Sequence, residues 1–195
     1  ICIVSYEEER IVEQVKQVCQ DSKRTLLGWD HADYFQLFAG QVSSTPVAKD
    51  SLSALEAIDK MEGEVVFLLL DFHQCLKEAR VIRKLRNLSH KLKYTKKTII
   101  ITTPSSQLPE ELKDDAVLLE YPPPKADELK HILEKLTAMP NVKVNLTEQG
   151  LEKIVHSALG LSSNQAQRVF AKAIVSDGVL DERDIDLITA EKKQI

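Results

Sequence analysis

The sequence has few of the residues that stabilise small secreted domains or form aromatic binding surfaces. Its 195 residues include 3 cysteines and 6 glycines, and aromatic residues make up 5%. The cysteines, Cys2, Cys19 and Cys75, are widely spaced, odd in number and form no C-x-x-C motif. This pattern argues against a disulfide framework and against zinc motifs. We predict that the cysteines fill apolar space in a reducing compartment.

Long apolar runs are absent as well, since none approaches the roughly 20 residues that a membrane-spanning helix needs. No signal peptide is present, and the sequence does not begin with methionine. It starts inside the apolar segment ICIVSY, which has the pattern of a strand. We therefore expect the sequence to be part of a longer protein, with further features beyond its ends.

The overall composition is that of a soluble globular protein, with 43% hydrophobic and 29% charged residues. This length is enough for one or two domains with a buried core. The formal net charge of −4 favours no class of partner. Charge is nevertheless uneven along the chain, because residues 77–97 contain nine basic residues and one acid, Glu78.

The central element is the stretch VVFLLLDFH, in which six apolar residues, Val65 to Leu70, precede Asp71. A short apolar run of this kind predicts a strand buried on both faces. Similar strands are predicted at 1–6, 98–102 and 117–121, and a short one within 25–37 followed by a loop. Helical spacing of apolar residues predicts helices at 7–20, 53–60, 74–93 and 125–137. This alternation indicates a parallel sheet with right-handed crossovers.

The pattern changes after Pro140, where only helices are predicted. One begins at Thr147 and stops at Gly160, the next is capped near Ser162 or Ser163 and stops at Gly178, and a third follows. The predicted fold class is α/β, a parallel sheet sandwiched by helices and followed by a small all-helical lid. We place the α/β domain at 1–124 and the lid, with the start of a linker, at 125–195.

Asp71 has two interpretations at this stage. An acid between a strand and a helix often caps the helix by accepting backbone N–H groups. Alternatively, an acid at the carboxyl end of a buried strand is the Walker B carboxylate that holds Mg²⁺ in nucleoside triphosphatases. The next predicted strand, TIIITTP, ends in Thr102 and Thr103. In AAA+ ATPases a polar residue at this place senses the γ-phosphate, and Arg168 offers a sensor in the lid.

The phosphate-binding half of such a site is missing from the sequence. Where G-x-x-x-x-G-K-[ST] would follow the first strand, the chain reads SYEEERIVEQV, with no glycine and no lysine. Three glutamates there would repel a triphosphate. Phe72 and His73 follow Asp71, so the catalytic glutamate is also absent. We predict that this module does not hydrolyse ATP, that it has no catalytic residue, and that Asp71 is inactive.

Several segments together carry a more specific resemblance, namely SYEEER, LLLDFH, VIRKLRNLSHKLK, KTIIITTP and FAKAIVSDGVLDERDIDLITAEKKQI. They resemble the amino-terminal region of an AAA+ ATPase family of cyanobacteria and algal plastids, encoded in the latter as a hypothetical chloroplast reading frame. The resemblance covers essentially the whole chain. It implies a degenerate AAA+ module that precedes a second module with working Walker motifs, where ATP and Mg²⁺ are expected. This segment itself is expected to hold no cofactor or metal.

The resemblance also implies a homo-oligomer assembled through AAA+ modules, located in the plastid stroma or the cyanobacterial cytoplasm. The expected role is assembly, regulation or partner recognition. Two alternatives remain open from the residues. A receiver-like signalling domain would use Asp71 as phosphoacceptor with Thr102, although Ser5 and Tyr6 stand where a receiver wants acids. A clamp-loader-like subunit would bind nucleic acid through the basic segment.

The basic segment has its own two interpretations. The simpler one is a solvated helix face. The other is a docking surface for an acidic partner, which could be a protein, a nucleic acid or an anionic membrane surface. Tyr94 is the single aromatic residue nearby, which gives little support for stacking on single-stranded nucleic acid. The residues of this predicted face are Arg80, Arg83, Lys84, Arg86, Lys91 and Lys93. The histidines His73, His90, His131 and His156 are scattered and predict no metal site.

Overall fold

The computed structural model describes residues 1–140 and 142–193. The chain divides into two compact units, residues 1–121 and residues 122–195. Each unit has its own buried core. Within the described residues, no helix is long and apolar enough to cross a bilayer.

The first unit is built on a six-stranded sheet. Its elements in chain order are β1 (Cys2–Val4), α1 (Glu8–Asp21), β2 (Thr25–Asp30), β3 (Tyr34–Ala39), α2 (Ser51–Lys60), β4 (Val65–Leu69), a 3-10 helix (Phe72–Lys77), α3 (Ala79–Leu92), β5 (Thr98–Thr103), a 3-10 turn (Glu110–Leu112) and β6 (Leu118–Glu120). The strand order is β3-β2-β4-β5-β1-β6, and every neighbouring pair is parallel except β2–β3. The predicted parallel sheet is therefore confirmed.

Strand β4 lies in the middle of this sheet and is buried along its whole length. Side chains alternate across the pleat, so Val66 and Leu68 belong to the core under α1. Phe67 and Leu69 belong to the core on the other face, which contains buried residues of α2 and α3. Each large side chain removed from water in this way contributes about 1.5–3 kcal/mol. The sheet is thus covered by helices on both faces, as predicted.

The expectation of one short strand followed by a loop at 25–37 was wrong, because the chain forms a hairpin there. The Asp30 carboxylate accepts hydrogen bonds of 2.7 Å from the N–H groups of Ala32 and Asp33. Tyr34 adopts a left-handed backbone with φ of 61°. These features close a turn, and β3 returns antiparallel to β2 at one edge of the sheet.

The predicted helix at 74–93 is interrupted. A 3-10 helix ends at Lys77, Glu78 is extended (φ −91°, ψ 117°), and α3 begins at Ala79. Phe72 and Cys75 are both buried and lie three residues apart, which is the 3-10 period. The apolar residues Leu76, Ala79, Ile82 and Leu85 follow one another at three-residue spacing across the break, so the sequence pattern did not reveal it. In α3 itself Val81 is buried and Ala79 is exposed.

Among its described residues the second unit contains four helices, as its spacing predicted, and one feature in addition. Its elements are α4 (Ala126–Thr137), β7 (Lys143–Val144), α5 (Glu148–Ser157), α6 (Ser163–Asp177), β8 (Val179–Leu180) and α7 (Asp184–Lys192). The pair β7–β8 is parallel and only two residues long, too short to be seen as a sequence pattern, so the unit is not purely helical.

The predicted caps of this unit are present. Thr147 Oγ1 accepts from the N–H of Gly150 at 3.1 Å. Ser162 and Gln165 form a reciprocal capping box, with distances of 3.2 Å and 2.8 Å. Gly178 ends α6 with φ of 75°, a conformation that favours glycine. Helix α5 stops at Ser157, three residues before the predicted stop at Gly160.

Candidate functional site

The carboxyl ends of the parallel strands meet at one edge of the sheet in the first unit. Asp30 ends β2, Asp71 follows β4, Thr102 lies near the end of β5, and Glu8 begins the helix after β1. We refer to Glu8, Asp30, Asp71 and Thr102 as the carboxyl-edge cluster. The fold therefore brings the Walker B-like acid and one sensor-like threonine to the edge where α/β sheets bind ligands.

Glu8 has an unusual electrostatic environment in this cluster. Burial raises the pKa of its carboxyl group above the ordinary value, and the negative charge of Asp71 raises it further. The hydrogen bond from Thr102 lowers the pKa, and Asp30 and Glu9 add smaller increases. Thr102 Oγ1 donates that hydrogen bond to Glu8 Oε2 over 3.3 Å. Glu8 is therefore held against the sheet beside two other acids, a specific contact that the sequence did not predict.

Asp71 does not act as the helix cap that was one of its interpretations. Its side chain makes no capping hydrogen bond, and its carbonyl oxygen accepts from the N–H of Gln74 at 3.1 Å. The side chain is 64% exposed, and its backbone is left-handed with φ of 52°. His73 Nδ1 lies 3.9 Å from Asp71 Oδ1 and has no hydrogen-bond partner among the described residues. The Asp71 carboxylate is thus open to solvent.

The two sensor-like threonines use their hydroxyl groups within the chain. Thr102 donates to Glu8, as described above. Thr103 Oγ1 donates to the carbonyl of Ser105 at 2.9 Å and accepts from the N–H of the same residue at 3.2 Å. Thr103 therefore shapes its own loop. Arg168, the sensor-like residue of the lid, is exposed on α6 in the second unit.

The segment between β1 and α1 is short and occupied by side chains. Ser5 Oγ accepts from the N–H of Glu7 at 3.0 Å, and the helix starts one residue later. Glu7 is only 7% exposed and pairs with Arg10 at 2.9 Å. The guanidinium of Arg10 lies 4.7 Å from the ring centre of Tyr121. No glycine-rich turn is present here whose backbone amides could surround a phosphate chain.

The predicted basic face divides into residues with and without partners. Asp59 of α2 accepts from Lys84 at 2.7 Å and from Lys91 at 3.0 Å, and these bonds lower its pKa. Arg86 lies 3.5 Å from Asp115. Lys97, just beyond this face, donates to three carbonyl groups at the end of α2. Arg80, Arg83 and Lys93 form no ion pair with any described residue.

A further contact joins His31 and Cys75, with 2.9 Å between Nε2 and Sγ. The His31 ring packs edge-on against Trp29 at 4.8 Å. Burial raises the pKa of the Cys75 thiol. The two residues are 44 positions apart, and no local signal links them. All three cysteines are free and buried, and among the described residues no group of three metal-ligating side chains converges.

The chain has an AAA-type fold, with a mostly parallel six-stranded sheet followed by a mainly helical unit. Solved AAA structures share it. The FIGL-1 AAA domain superposes with a TM-score of 0.61 at 12% identity, over 100% of this chain and 70% of that one. A chain of the E. coli MS115-1 HORMA:CdnC:Trip13 complex gives 0.59 at 13% identity, over 100% and 72%.

The sequence identifies the family. Residues 1–121 match the family described as "SpoVK-like AAA ATPase, N-terminal domain", and residues 127–195 match its second domain. The chain therefore belongs to the SpoVK-like AAA ATPase family. This confirms the AAA+ resemblance and leaves no support for a receiver domain.

The curated relatives are AAA domain-containing proteins named ycf46. The protein of Guillardia theta is 34% identical over 199 residues, which span 100% of this chain and 38% of the relative. The protein of Trieres chinensis is 32% identical over 100% of this chain and 39% of its own length. The chain thus spans about two fifths of these relatives.

Proposed function

We propose that this chain is a non-hydrolysing AAA module that serves assembly, regulation or partner recognition in a longer ATPase. The observation that carries the proposal is the position of Glu8. Its carboxylate lies at the carboxyl edge of the sheet, hydrogen-bonded to Thr102 and beside Asp71 and Asp30. An anionic side chain of the protein stands at the edge where a nucleotide would bring its own negative charge.

The residues do not fit Mg²⁺–ATP. A working site combines an acid for the metal with a backbone cradle and a lysine for the phosphates. Here the acid is present as Asp71, but the segment before α1 supplies Glu7, Glu8 and Glu9 instead of glycines and a lysine. Like charges at short range repel, and the repulsion is stronger in a partly buried site than in water. ATP and Mg²⁺ are accordingly assigned to the remainder of the longer protein.

We infer that the longer protein assembles as a homo-oligomer through its AAA modules, in the plastid stroma or the cyanobacterial cytoplasm. In such an assembly an inactive module adds contact surface without a second catalytic cycle. The Lys84–Asp59 and Lys91–Asp59 pairs serve the fold of the module itself. They leave Arg80, Arg83 and Lys93 as its basic contact residues.

Calorimetric titration of the 195-residue chain with Mg²⁺–ATP up to about 1 mM tests the proposal, because functional ATPases have KM values of roughly 1 μM–1 mM. We expect no saturable heat from the wild-type chain, and none from Asp71→Asn. Saturable binding by the wild-type chain that disappears in Asp71→Asn would overturn the proposal, since Asp71 would then be a working ligand.

A further inference from the structure

Helix α3 presents one outward stripe that its neighbours leave uncovered. Its buried residues are Val81, Leu85 and Leu88, so the opposite face points to solvent. Residues on that side recur at intervals of three and four positions from 80 to 90 and span about 15 Å at 1.5 Å per residue, and Tyr94 follows in the turn after the end of α3 at Leu92. The five residues are Arg80, Arg83, Asn87, His90 and Tyr94, all of them exposed. We call these five residues the α3 stripe.

Ion pairs on both flanks hold α3 in place. On one flank Lys84 and Lys91 bind Asp59 of α2. On the other flank Arg86 lies 3.5 Å from Asp115, and His90 Nε2 lies 3.9 Å from the second oxygen of the same carboxylate. The two described acids that pair with α3, Asp59 and Asp115, therefore lie at its sides. No described carboxylate pairs with Arg80 or Arg83.

The α3 stripe combines positively charged, polar and aromatic side chains. Arg80 and Arg83 are cations with planar donor groups that suit phosphate oxygens. Asn87 adds an amide group, His90 adds an imidazole whose Nε2 lies 3.9 Å from Asp115, and Tyr94, a residue that is 91% exposed, adds an aromatic ring. The stripe contains no acid. Cations suit a phosphodiester backbone, amide and imidazole groups suit base edges, and an exposed aromatic ring suits stacking on a base. The presence of one aromatic residue gave little support for stacking from the sequence alone, and the structure adds that this residue is exposed in the turn that follows α3.

We propose that the α3 stripe is a docking surface for single-stranded nucleic acid. Duplex DNA is disfavoured because entering the major groove requires a helix that protrudes. Helix α3 is instead flanked by α2 and by the segment that carries Asp115, and its side chains are tied to both. A single strand lies along such a surface without having to surround it. About four stacked nucleotides at roughly 3.4 Å each match the length of the helical part of the stripe.

An acidic polypeptide would be attracted mainly by the charges of the two arginines, whereas a single strand also offers base edges to Asn87 and a base face to Tyr94. The stripe thus provides polar and aromatic groups as well as positive charge, and a single strand can contact all of these groups. The acidic character of the remaining surface limits the interaction to this stripe, so weak binding is expected. The proposal does not depend on whether the carboxyl-edge cluster binds a nucleotide, because no residue of that cluster belongs to the α3 stripe.

Fluorescence anisotropy with a labelled 12-nucleotide single-stranded RNA of mixed sequence, titrated with the full 195-residue chain, provides the test. At low salt we expect a Kd on the order of 10–100 μM, which lies within the roughly 1–100 μM of non-sequence-specific complexes at physiological salt. Arg80→Gln with Arg83→Gln should weaken binding about tenfold. The same pair should reduce the slope of log K against log salt by about 1.4, since each phosphate contact on a single strand contributes roughly 0.7.

The matched control is Lys23→Gln with Lys49→Gln, which also removes two positive charges, but from exposed positions outside the stripe. It should leave the affinity within about twofold. Tyr94→Ser keeps the net charge and should weaken binding about fivefold through lost stacking. Native circular dichroism and Trp29 fluorescence establish that each variant is folded.

Four results would overturn the proposal. One is the absence of any anisotropy change at low salt. Another is equal weakening by the stripe and control variants, which would indicate diffuse attraction. The third is binding of a labelled polyglutamate peptide as tight as that of RNA and equally sensitive to Arg80→Gln with Arg83→Gln, which would assign the stripe to an acidic protein. A duplex of the same sequence should bind more weakly than the single strand, and tighter duplex binding would contradict the docking argument.

Discussion

Thr102 Oγ1 donates a hydrogen bond of 3.3 Å to the carboxylate of Glu8, a residue 94 positions away in the chain. This contact joins the end of strand β5 to the first turn of helix α1. It connects a sensor-like threonine with an acid that replaces the phosphate-binding loop. The Glu8 carboxylate therefore influences the local charge, the stability of the fold and the proposed loss of nucleotide binding.

The first prediction concerns Glu8→Gln. Since the folded-state pKa of Glu8 is raised, the protonated form is favoured by folding, and its contribution to stability is present below the ordinary pKa of about 4.3. That contribution is lost as the pH rises through the raised value. Glutamine keeps a group that can accept from Thr102 but carries no charge. We expect the variant to be more stable than the wild type at pH 7 and equal to it near pH 4.

Urea denaturation of both proteins at pH 7 and pH 4 measures this difference. A variant that is less stable than the wild type at pH 7 would show that the Glu8 charge stabilises the fold. The ionised Glu8 carboxylate would then interact favourably with the rest of the carboxyl-edge cluster, contrary to the prediction.

A second prediction concerns the Asp59 pairs. Asp59→Asn removes the charge that binds Lys84 and Lys91, and should lower the free energy of unfolding by about 1 kcal/mol, because partly exposed pairs contribute modestly. The folded-state pKa of Asp59 is lowered, so its stabilisation is present above the unfolded value of about 3.9 and is lost as the pH falls below it. Thermal melts at pH 7 and near pH 3 should show a gap that narrows in acid.

The matched control for Asp59 is Glu64→Gln, which breaks the exposed contact with Lys96. Its effect should stay within about 0.5 kcal/mol, as for most surface substitutions. If both variants lose the same free energy of unfolding, the partial burial of Asp59 does not strengthen its ion pairs.

A third prediction concerns Lys97, whose Nζ donates to the carbonyl groups of Ile58, Asp59 and Met61 at 2.9, 3.1 and 2.8 Å. It caps the end of α2 from another element of the fold. Lys97→Met should cost about 1–3 kcal/mol, because carbonyl groups in a partly buried site lose a charged donor. Lys96→Met, one residue earlier, is the control and should cost much less. Chemical denaturation that ranks the two variants in the opposite order would contradict the capping role.

A fourth prediction concerns Gly28, which lies under the ring of Phe38. A Cβ at position 28 would fall 2.2 Å from Phe38 Cε2, well inside van der Waals contact. Gly28→Ala should therefore destabilise the protein by about 1–3 kcal/mol. In the background Phe38→Ala the same change should cost less than about 0.5 kcal/mol, since the ring is gone. A double-mutant cycle with no coupling between the two sites would show that the close approach has no energetic effect.

Patterns of short range were sufficient for much of the fold. The apolar run Val65–Leu70 predicted the central strand, and the alternation of strands with helices predicted the parallel sheet, because burial imposes a period on each element. Ser162 and Thr147 marked helix starts correctly because a cap acts within three residues. The lack of glycine and lysine after β1 could likewise be read directly from the sequence.

The sequence could not determine which residues each side chain contacts. The contacts Glu8–Thr102 and His31–Cys75 join residues 94 and 44 positions apart, and only the strand order brings them together. The same is true of the basic helix. Nine cations looked equivalent in the sequence, but packing against Asp59 and Asp115 engaged some of them and left Arg80 and Arg83 facing solvent. Periodicity decides which face of an element is buried, whereas register and packing decide what that face meets.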